Sequence, residues 1–276
     1  MCAIIGAVDM LRGQVAVVTG GGRGIGRAVA ETLAREGMSL GLLGRSADTL
    51  EAAAQACRAQ GVEVALATAD VRDRAAVLGA VQEFERRLGE VDLLVSNAGV
   101  SVPPWVQPWG EGLDDWWTCI ETNLMGPLAS AAAVLPGMWE RGRGRIVHMN
   151  SLTAGREDAG PYSVSKAGLA RLTGVLAARC AERGIGVFDV SPGLVLTDMT
   201  DHEGFADLPP DQWTPISRIG EMVTAIALGR LDALSGRFVH AMDDLDLLER
   251  EAERLVARDA RVLRFTPAFD PDRVLD

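Results

Sequence analysis

The segment PYSVSK, at residues 161–166, contains the only tyrosine and the only lysine of a 276-residue chain whose other 26 basic side chains are arginines. Four positions apart on a helix, Tyr162 and Lys166 would share one face. A free phenol has a pKa near ~10 and is a poor proton shuttle at neutral pH, whereas a nearby ammonium favours the phenolate. Lowering that pKa by about three units takes roughly 4 kcal/mol of interaction. The pair therefore predicts proton-transfer chemistry.

The hydrophobic pattern indicates the elements that would position this pair. Short apolar runs alternate with longer amphipathic stretches, including a predicted helix around 160–182, which is typical of a parallel sheet covered by helices on both faces. Strands are predicted at residues 14–19, 39–44, 62–68, 91–96, 144–150, 184–191 and 236–241. The pattern predicts an α/β protein in a single domain, with a Rossmann-like, doubly wound parallel sheet inside a three-layer α/β/α sandwich.

Composition excludes several classes of function. The net charge of −11 and a pI of about 4.8 argue against binding to nucleic acid or to an anionic membrane. The four cysteines are scattered and have no histidine partners at ligand spacing, so neither a disulfide framework nor a metal site is predicted. The chain contains no apolar run of membrane-spanning length and no persuasive signal peptide, so a cytoplasmic location is expected.

The stretch VVTGGGRGIGRAVA, at residues 17–30, combines a strand, a glycine turn and a helix start. Gly20, Gly24 and Gly26 follow the spacing GxxxGxG. Such a turn allows bare backbone to approach a diphosphate, which the helix N-terminus then stabilises. In the first βα turn of a doubly wound sheet, this pattern predicts a dinucleotide site.

The residues after the second strand bear on which dinucleotide is bound. An NAD-selective fold usually has an acidic residue there, which binds the ribose 2′-hydroxyl. This chain has Arg45 and Ser46 instead, with Arg23 in the glycine turn. A guanidinium suits a 2′-phosphate through charge-assisted hydrogen bonds. NADP(H) is therefore the preferred cofactor, and NAD(H) stays open as the alternative.

The chain is expected to comprise three regions. Residues 1–11 are predicted to form an N-terminal extension, and Met10 could be the natural start. Residues 12–242 would form the dinucleotide-binding and catalytic domain. Residues 243–276 would form a C-terminal helical tail, because residues 240–265 read as one charged amphipathic helix that packs on the domain or on a neighbouring subunit.

Two long connections leave the carboxyl edge of the predicted sheet, where open α/β folds bind ligands. Residues 100–117 contain four of the six tryptophans, and residues 193–218 form a second proline-containing stretch. These connections are expected to enclose an apolar substrate pocket, although tryptophans can equally serve as packing residues or interface anchors. The candidate substrate residues are Trp105, Trp109, His202 and Trp213.

Further motifs accompany the tyrosine and the lysine. They are TGGGRGIG (19–26), SNAG (96–99), ETNLMG (121–126), MNSLTAG (149–155) and SPGLVLT (191–197). Through them the chain resembles the short-chain dehydrogenase/reductase family over about residues 12–240. The resemblance implies a catalytic tetrad of Asn123, Ser151, Tyr162 and Lys166.

The resemblance also implies a role for each member of that tetrad. Tyr162 would be the general acid in carbonyl reduction or the general base in alcohol oxidation. Ser151 would hydrogen-bond the substrate oxygen, although it lies slightly closer to Tyr162 in sequence than is common in the family, which makes Thr153 its nearest substitute. Lys166 would bind the nicotinamide ribose and lower the pKa of Tyr162, and Asn123 would hold a water of the proton relay.

The cofactor contacts are implied in the same way. Asp70 is expected to contact the adenine, Asn97 to line the cleft, and Thr197 to approach the nicotinamide or the phosphates. The full set of expected cofactor contacts is Gly20, Arg23, Gly24, Ile25, Gly26, Arg45, Ser46, Asp70, Val71, Asn97, Ala98, Gly99, Tyr162, Lys166, Pro192, Gly193, Val195 and Thr197.

The prediction is an NAD(P)-dependent oxidoreductase that interconverts a ketone and a secondary alcohol on a small, largely apolar molecule. A homo-dimer or homo-tetramer is expected from the resemblance. Two alternatives stay open: an epimerase, dehydratase or imine reductase on the same scaffold, and a cofactor-binding sensor without turnover. A sensor would have little reason to keep Tyr162 and Lys166 together, which favours an enzyme.

Overall fold

A computed structural model describes residues 10–200 and 208–264 and shows seven parallel strands in the order β3-β2-β1-β4-β5-β6-β7. The strands are β1 Val15–Thr19, β2 Ser39–Gly44, β3 Val64–Thr68, β4 Val91–Ser96, β5 Gly144–Met149, β6 Ile185–Ser191 and β7 Phe238–His240. All seven predicted strands are present, with ends shifted by at most two residues. The predicted doubly wound α/β fold is confirmed.

The helices cover both faces of the sheet. They are α1 Gly24–Arg35, α2 Ala47–Arg58, α3 Arg74–Leu88, α4 Leu113–Ile120, α5 Gly126–Arg141, α6 Gly160–Cys180, α7 Ile216–Ala227, α8 Leu245–Arg250 and α9 Ala252–Ala257. In the part of the chain that the structure describes, no helix is both long and apolar enough to cross a bilayer.

Strand β1 shows why burial on both faces of the sheet produces a continuous apolar run in the sequence. All five of its residues are buried, and successive side chains enter the cores on opposite faces of the sheet. Ala16 and Val18 belong to one core, whereas Val15 and Val17 belong to the other. Since neither face meets water, the four residues before Thr19 are all apolar, as expected for a central parallel strand.

The connection between α4 and α5 is a turn of π-helix, Glu121–Met125. Such insertions widen a helix locally and are frequent at functional sites. The turn carries Asn123, which is fully buried. The sequence placed Asn123 on a helix but gave no sign of this irregularity.

The C-terminal region differs from the single predicted helix over 240–265. Two short helices, α8 and α9, meet at Glu251. Leu248 and Ala252, which lie on either side of the break, are both buried in the core of their own domain. Residues 265–276 of the predicted tail lie outside the described residues, and so do residues 1–9 of the predicted extension, whereas Leu11 is buried in the core.

The segment after α9 covers the outer edge of the sheet. Phe238 donates its N–H to the carbonyl of Arg261 at 2.8 Å, and the Arg261 guanidinium returns a bond to the carbonyl of Phe238 at 3.3 Å. A bidentate pair between Arg261 and Asp243, at 2.6 and 2.9 Å, fixes this crossing. The short edge strand is thereby shielded from pairing with another chain.

Candidate active site

The carboxyl ends of the strands border a cleft of about 820 Å³. Its walls are the first βα turn, the ends of the next four strands in the sheet, one face of α6 and the loop after β6. Among the predicted residues, the structure places these on the walls: Gly20, Arg23, Gly24, Ile25, Arg45, Ser46, Asp70, Val71, Asn97, Ala98, Gly99, Tyr162, Lys166, Pro192 and Thr197. Most of the predicted cofactor contacts therefore meet in one cavity.

The glycine turn is shaped by close backbone approach. Gly20 has a φ of +66°, in the region that favours glycine. A Cβ atom on Gly26 would lie 2.3 Å from the carbonyl oxygen of Gly20 and 2.5 Å from Nδ2 of Asn97. That amide donates to the carbonyls of Thr19 and Gly20, at 3.0 and 3.3 Å. The turn thus presents bare backbone at the N-terminus of α1, a cradle that fits a diphosphate.

At the far end of the cleft, three arginines have different surroundings. Arg23 donates to Asp198 at 2.7 Å, across the mouth of the cleft, so its charge is already paired. Arg72 forms a bidentate pair with Asp70, and its hydrogen bonds lower the pKa of that carboxyl. Arg45 lines the cleft without an ion pair among the described residues. It is therefore the guanidinium left for a ligand anion.

Some predicted contacts have structural duties or lie behind the walls. The Ser46 hydroxyl caps α2 by accepting from the N–H of Thr49 at 3.4 Å. Val195 is buried, and a side chain on Gly193 would collide with Thr214. Neither Val195 nor Gly193 lines the cleft, and their contact with the cofactor stays a prediction.

Tyr162 is half-buried in the first turn of α6, with Ser151 beside it. The Ser151 hydroxyl oxygen accepts from the N–H and the hydroxyl of Thr153, at 3.2 and 3.0 Å. Because both bonds use its lone pairs, the Ser151 proton is left to donate. Burial raises the pKa of Tyr162 to about 12, and the hydrogen bond with Ser151 opposes that rise. Thr153 therefore supports Ser151 instead of replacing it.

Lys166 does not have the effect on Tyr162 that the resemblance implied. Its Nζ donates to the carbonyl of Met149 at 2.7 Å and lies 5.5 Å from the centre of the Tyr162 ring. Burial lowers the pKa of Lys166 itself to about 8, although the charge of Asp189 opposes this. The expected depression of the tyrosine pKa is wrong for this arrangement, because burial dominates both groups.

Asn123 forms a buried network behind the cleft. Its Oδ1 accepts from the N–H of Val100 at 2.8 Å, and its Nδ2 donates to the carbonyl of Val100 at 2.9 Å. The same Nδ2 lies 3.1 Å from the Ser165 hydroxyl and 3.4 Å from the Cys119 thiol. The asparagine thus ties the π-helical turn to α6 and to the strand-end segment that follows β4.

The predicted substrate residues are not brought together. Trp105 and Trp109 are 75% and 67% exposed, and neither lines the cleft. Trp213 is half-buried on the other connection, also outside the walls, and His202 lies outside the described residues. The described part of the chain therefore does not bring the tryptophans to the cleft, and their contact with a substrate stays a prediction. Met199 is an apolar side chain that does reach the cleft.

Comparison with known proteins settles the family. Residues 14–206 match the family described as short chain dehydrogenase. The chain belongs to the short-chain dehydrogenase/reductase family. It is thus an oxidoreductase of a family that binds NAD(P) and acts on small molecules, as the sequence predicted.

Individual members of this family differ in how much of their length is shared. Glycine betaine reductase ATRR of Emericella nidulans is 40% identical over 192 residues, which are 68% of this chain but only 15% of that protein. Gluconate 5-dehydrogenase of Gluconobacter oxydans is 33% identical over 218 residues, 77% of this chain and 84% of that one.

A solved structure gives the same result for the fold. A variant of the actinorhodin polyketide ketoreductase, determined with NADPH, superimposes with a TM-score of 0.75 at 32% identity. The shared part covers 82% of this chain and 95% of the other. The doubly wound sheet and its cleft are therefore those of the short-chain dehydrogenase/reductase family.

Proposed function

We propose that this protein uses NADP(H) to interconvert a ketone and a secondary alcohol on a small, largely apolar molecule, with Tyr162 as the proton donor or acceptor. The observation that carries the proposal is the meeting of Tyr162 and Lys166 with a bare glycine cradle in one cleft. The NADPH bound by the actinorhodin ketoreductase supports the choice of cofactor.

The cofactor would be held along the length of the cleft. The cradle at Gly20 would bind the diphosphate, Arg45 the 2′-phosphate, and Asp70 the adenosine end. Lys166 uses one of its three protons on the Met149 carbonyl, which leaves two for ribose hydroxyls. When bound, the nicotinamide supplies or accepts the hydride, while the protein orients the substrate and moves the proton.

The proton step follows from the surroundings of Tyr162. A pKa raised to about 12 keeps the phenol protonated at neutral pH, so it is ready to donate to a carbonyl oxygen that becomes an alkoxide. Ser151, with its lone pairs used by Thr153, would donate a second hydrogen bond to that oxygen. For alcohol oxidation the same phenol must first lose its proton and then serves as the general base.

An apolar substrate is proposed from the side chains near the site. Leu152 follows Ser151 directly and is 63% exposed, and Leu196 and Met199 are exposed on the loop after β6. Burying these side chains against an apolar ligand would be favourable. A strongly charged substrate would gain nothing from them.

Consumption of NADPH in the presence of ketones of increasing apolar size tests this proposal. We expect oxidation of the cofactor in step with formation of the secondary alcohol, and faster turnover with NADPH than with NADH. Product formation without net cofactor oxidation would instead favour an epimerase or a dehydratase. Turnover of imines alone would favour an imine reductase, and tight cofactor binding without any turnover would favour a sensor.

We also propose a cytoplasmic homo-dimer or homo-tetramer. Exposed apolar side chains on α5 and α6, namely Leu128, Trp139, Val164 and Val175, support association between copies, since such surfaces are commonly covered. Light scattering that gives the mass of a single chain across the working concentration range would contradict this.

A further inference from the structure

Asp189 lies in the middle of the buried strand β6 and is 2% exposed. Within residues 10–200 and 208–264, it is the only carboxylate buried to this degree, and Lys166 is the only buried ammonium. A buried charge is costly unless an opposite charge or hydrogen bonds compensate it. Asp189 does not line the cleft, so a ligand contact does not explain why a carboxylate is buried here despite the free-energy cost of removing it from water.

The contacts of Asp189 lead directly to two members of the tetrad. Both of its oxygens accept from Nδ2 of Asn150, at 2.7 and 2.9 Å. The same Nδ2 donates to the backbone carbonyl of Lys166 at 3.1 Å, while Oδ1 of Asn150 accepts from the N–H of Ser151 at 2.8 Å. One amide therefore joins Asp189 to the backbone of Lys166 on α6 and to that of Ser151 after β5.

The charges around Asp189 identify Lys166 as its electrostatic partner. On β5 the residue opposite is His148, whose pKa burial lowers to about 3, so that this ring is neutral. On β7 the opposite residue is Phe238, and Arg237 offers only its backbone carbonyl, because its guanidinium bonds Asp259 and the carbonyl of Ala260.

The fourth neighbour is α6, which carries Lys166. The two groups act on each other: burial raises the pKa of Asp189 to about 7 and the lysine opposes that rise, while the carboxylate opposes the fall in the pKa of Lys166. Among the described residues, the other titratable group that acts on Lys166 in this way is the Cys119 thiol, whose own pKa is raised by burial. A neutral thiol contributes little charge at neutral pH.

We propose that Asp189 is a positioning residue: through Asn150 it fixes the backbone of Ser151 and Lys166, and its negative charge keeps the lysine protonated. The role in turnover rests on the proposed function, but the effect on the lysine does not. Neither nicotinamide nor substrate touches Asp189 in this proposal. The carboxylate acts from behind the cleft.

The composition of the chain makes a direct test available. Because Lys166 is the only lysine, protein labelled with ¹³C-lysine gives one side-chain signal, and its shift reports one ammonium. In the unliganded wild-type protein, we expect a main titration step from Lys166 and a smaller inflection near pH 7 from Asp189. In Asp189→Asn the smaller inflection should disappear, and the lysine midpoint should fall by at least about half a pH unit.

Asp92→Asn is the matched control. Asp92 lies at the amino end of the central strand β4, where it accepts from the N–H of Val15 at 3.1 Å and forms an ion pair with Arg143 at 3.6 Å. This substitution removes a largely buried carboxylate from a strand, but among the described residues no hydrogen bond of Asp92 connects it to Lys166. The lysine titration should match that of the wild type.

Kinetics test the positioning itself. Asp189→Asn should lower kcat about threefold to tenfold with little change in the KM for NADPH, and the alkaline limb of the rate–pH profile should move to lower pH. Asp92→Asn should move neither. A purely structural role would change the melting temperature but leave the pH profile in place.

The outcomes are separable. A single-step lysine titration in the wild type, or an unchanged midpoint in a folded Asp189→Asn protein, overturns the proposal; the wild-type titration decides it alone if the variant does not fold. Absence of hydride transfer in the wild type would overturn the proposed function and leave the electrostatic link to be judged by the titrations.

Discussion

The two ends of the cleft hold charge in different ways. At the glycine turn, Arg23 and Asp198 form an ion pair in which both side chains are at least 66% exposed. At the catalytic end, Lys166 and Asp189 are buried and reach each other through an amide rather than by direct contact. Water screens the first pair, so it contributes little to stability or binding. The second pair is held in place by hydrogen bonds to the Asn150 amide and to backbone carbonyls. The exposed side chains at the first end can rearrange around a ligand, whereas the buried side chains at the second end are fixed in position.

At the buried end of the cleft, the largest effect is expected from removal of the Tyr162 hydroxyl. We expect Tyr162→Phe to bind NADPH as well as the wild type does and to lose turnover by about 10²–10⁴-fold, because a general acid contributes on that scale. Cofactor binding measured by fluorescence, alongside single-turnover rates, separates the two effects. Turnover near that of the wild type would mean that the phenol is structural.

Reversal of a charge tests the exposed end. Arg45→Asp should weaken NADP(H) binding by roughly tenfold to 150-fold, since a lost charge-assisted bond costs about 1.5–3 kcal/mol. NAD(H) binding should change little. Arg58→Asp, at the far end of α2, is the control for a general charge effect. Equal losses for both cofactors would contradict the role given to Arg45.

Replacement of Lys166 by arginine tests whether a positive charge alone is sufficient for turnover. Lys166→Arg should stay folded and lose at least about tenfold in kcat/KM, because the planar, forked guanidinium does not fit where an ammonium donates to the Met149 carbonyl. The alkaline limb that Lys166 contributes, with its pKa of about 8, should also vanish, since arginine stays charged. Arg179→Lys on the same helix serves as the control. Kinetics like those of the wild type would mean that any cation serves.

The buried end should also respond to pH without any ligand. His148 has a pKa near 3 in the fold instead of 6.5, so the folded state binds fewer protons in that window and loses stability as the pH falls. Asp189 has a pKa of about 7 instead of 3.8, so the folded state binds more protons there and loses stability as the pH rises. The two contributions have opposite slopes and largely cancel.

His148→Asn should expose the slope of Asp189. The shorter amide can keep the hydrogen bond that Nδ1 makes with the Thr173 hydroxyl at 2.8 Å. The free energy of unfolding should then decrease between pH 4 and 7 by on the order of a few kcal/mol, as urea titrations can measure. His240→Asn, at a half-buried position, is the comparison. A flat profile in the first variant would show that the two groups do not compensate each other.

The smallest effect is expected from the exposed ion pair. Arg23→Ala should change NADP(H) affinity by less than about fivefold, because exposed pairs contribute about 0–1 kcal/mol and this guanidinium is already bonded to Asp198. Calorimetric titration of the cofactor can measure this. A loss as large as that of Arg45→Asp would show that Arg23 leaves Asp198 to bind the cofactor.

Local pattern was sufficient to predict the strands, the glycine turn and the face of α6. Each depends on residues that are neighbours in sequence, and burial on both faces leaves an apolar run that can be recognised in the sequence itself. The tyrosine and the lysine could be found for the same reason, because one helical turn separates them.

The features that could not be predicted from the sequence depend on contacts between distant segments. The direction of Trp105 and Trp109 is set by how their loop packs, and the break at Glu251 by which face of the tail meets the core. Asp189 did leave a signal: it is a lone charge inside the apolar strand GIGVFDVS. The partner that explains it, Asn150, lies directly after the end of β5, 39 positions earlier in the sequence, so the pairing could not be seen.

The amide of Asn97 that holds the glycine turn has a consequence for how the chain folds. It bonds the carbonyl of Gly20 across 77 positions of sequence, and β1 lies between β2 and β4 in the sheet. On the ribosome, the turn cannot take its final shape until β4 has emerged. Sheets built from such distant pairings fold slowly and expose strand edges while they wait. Strand β1 therefore keeps one edge unpaired until β4 has been synthesised.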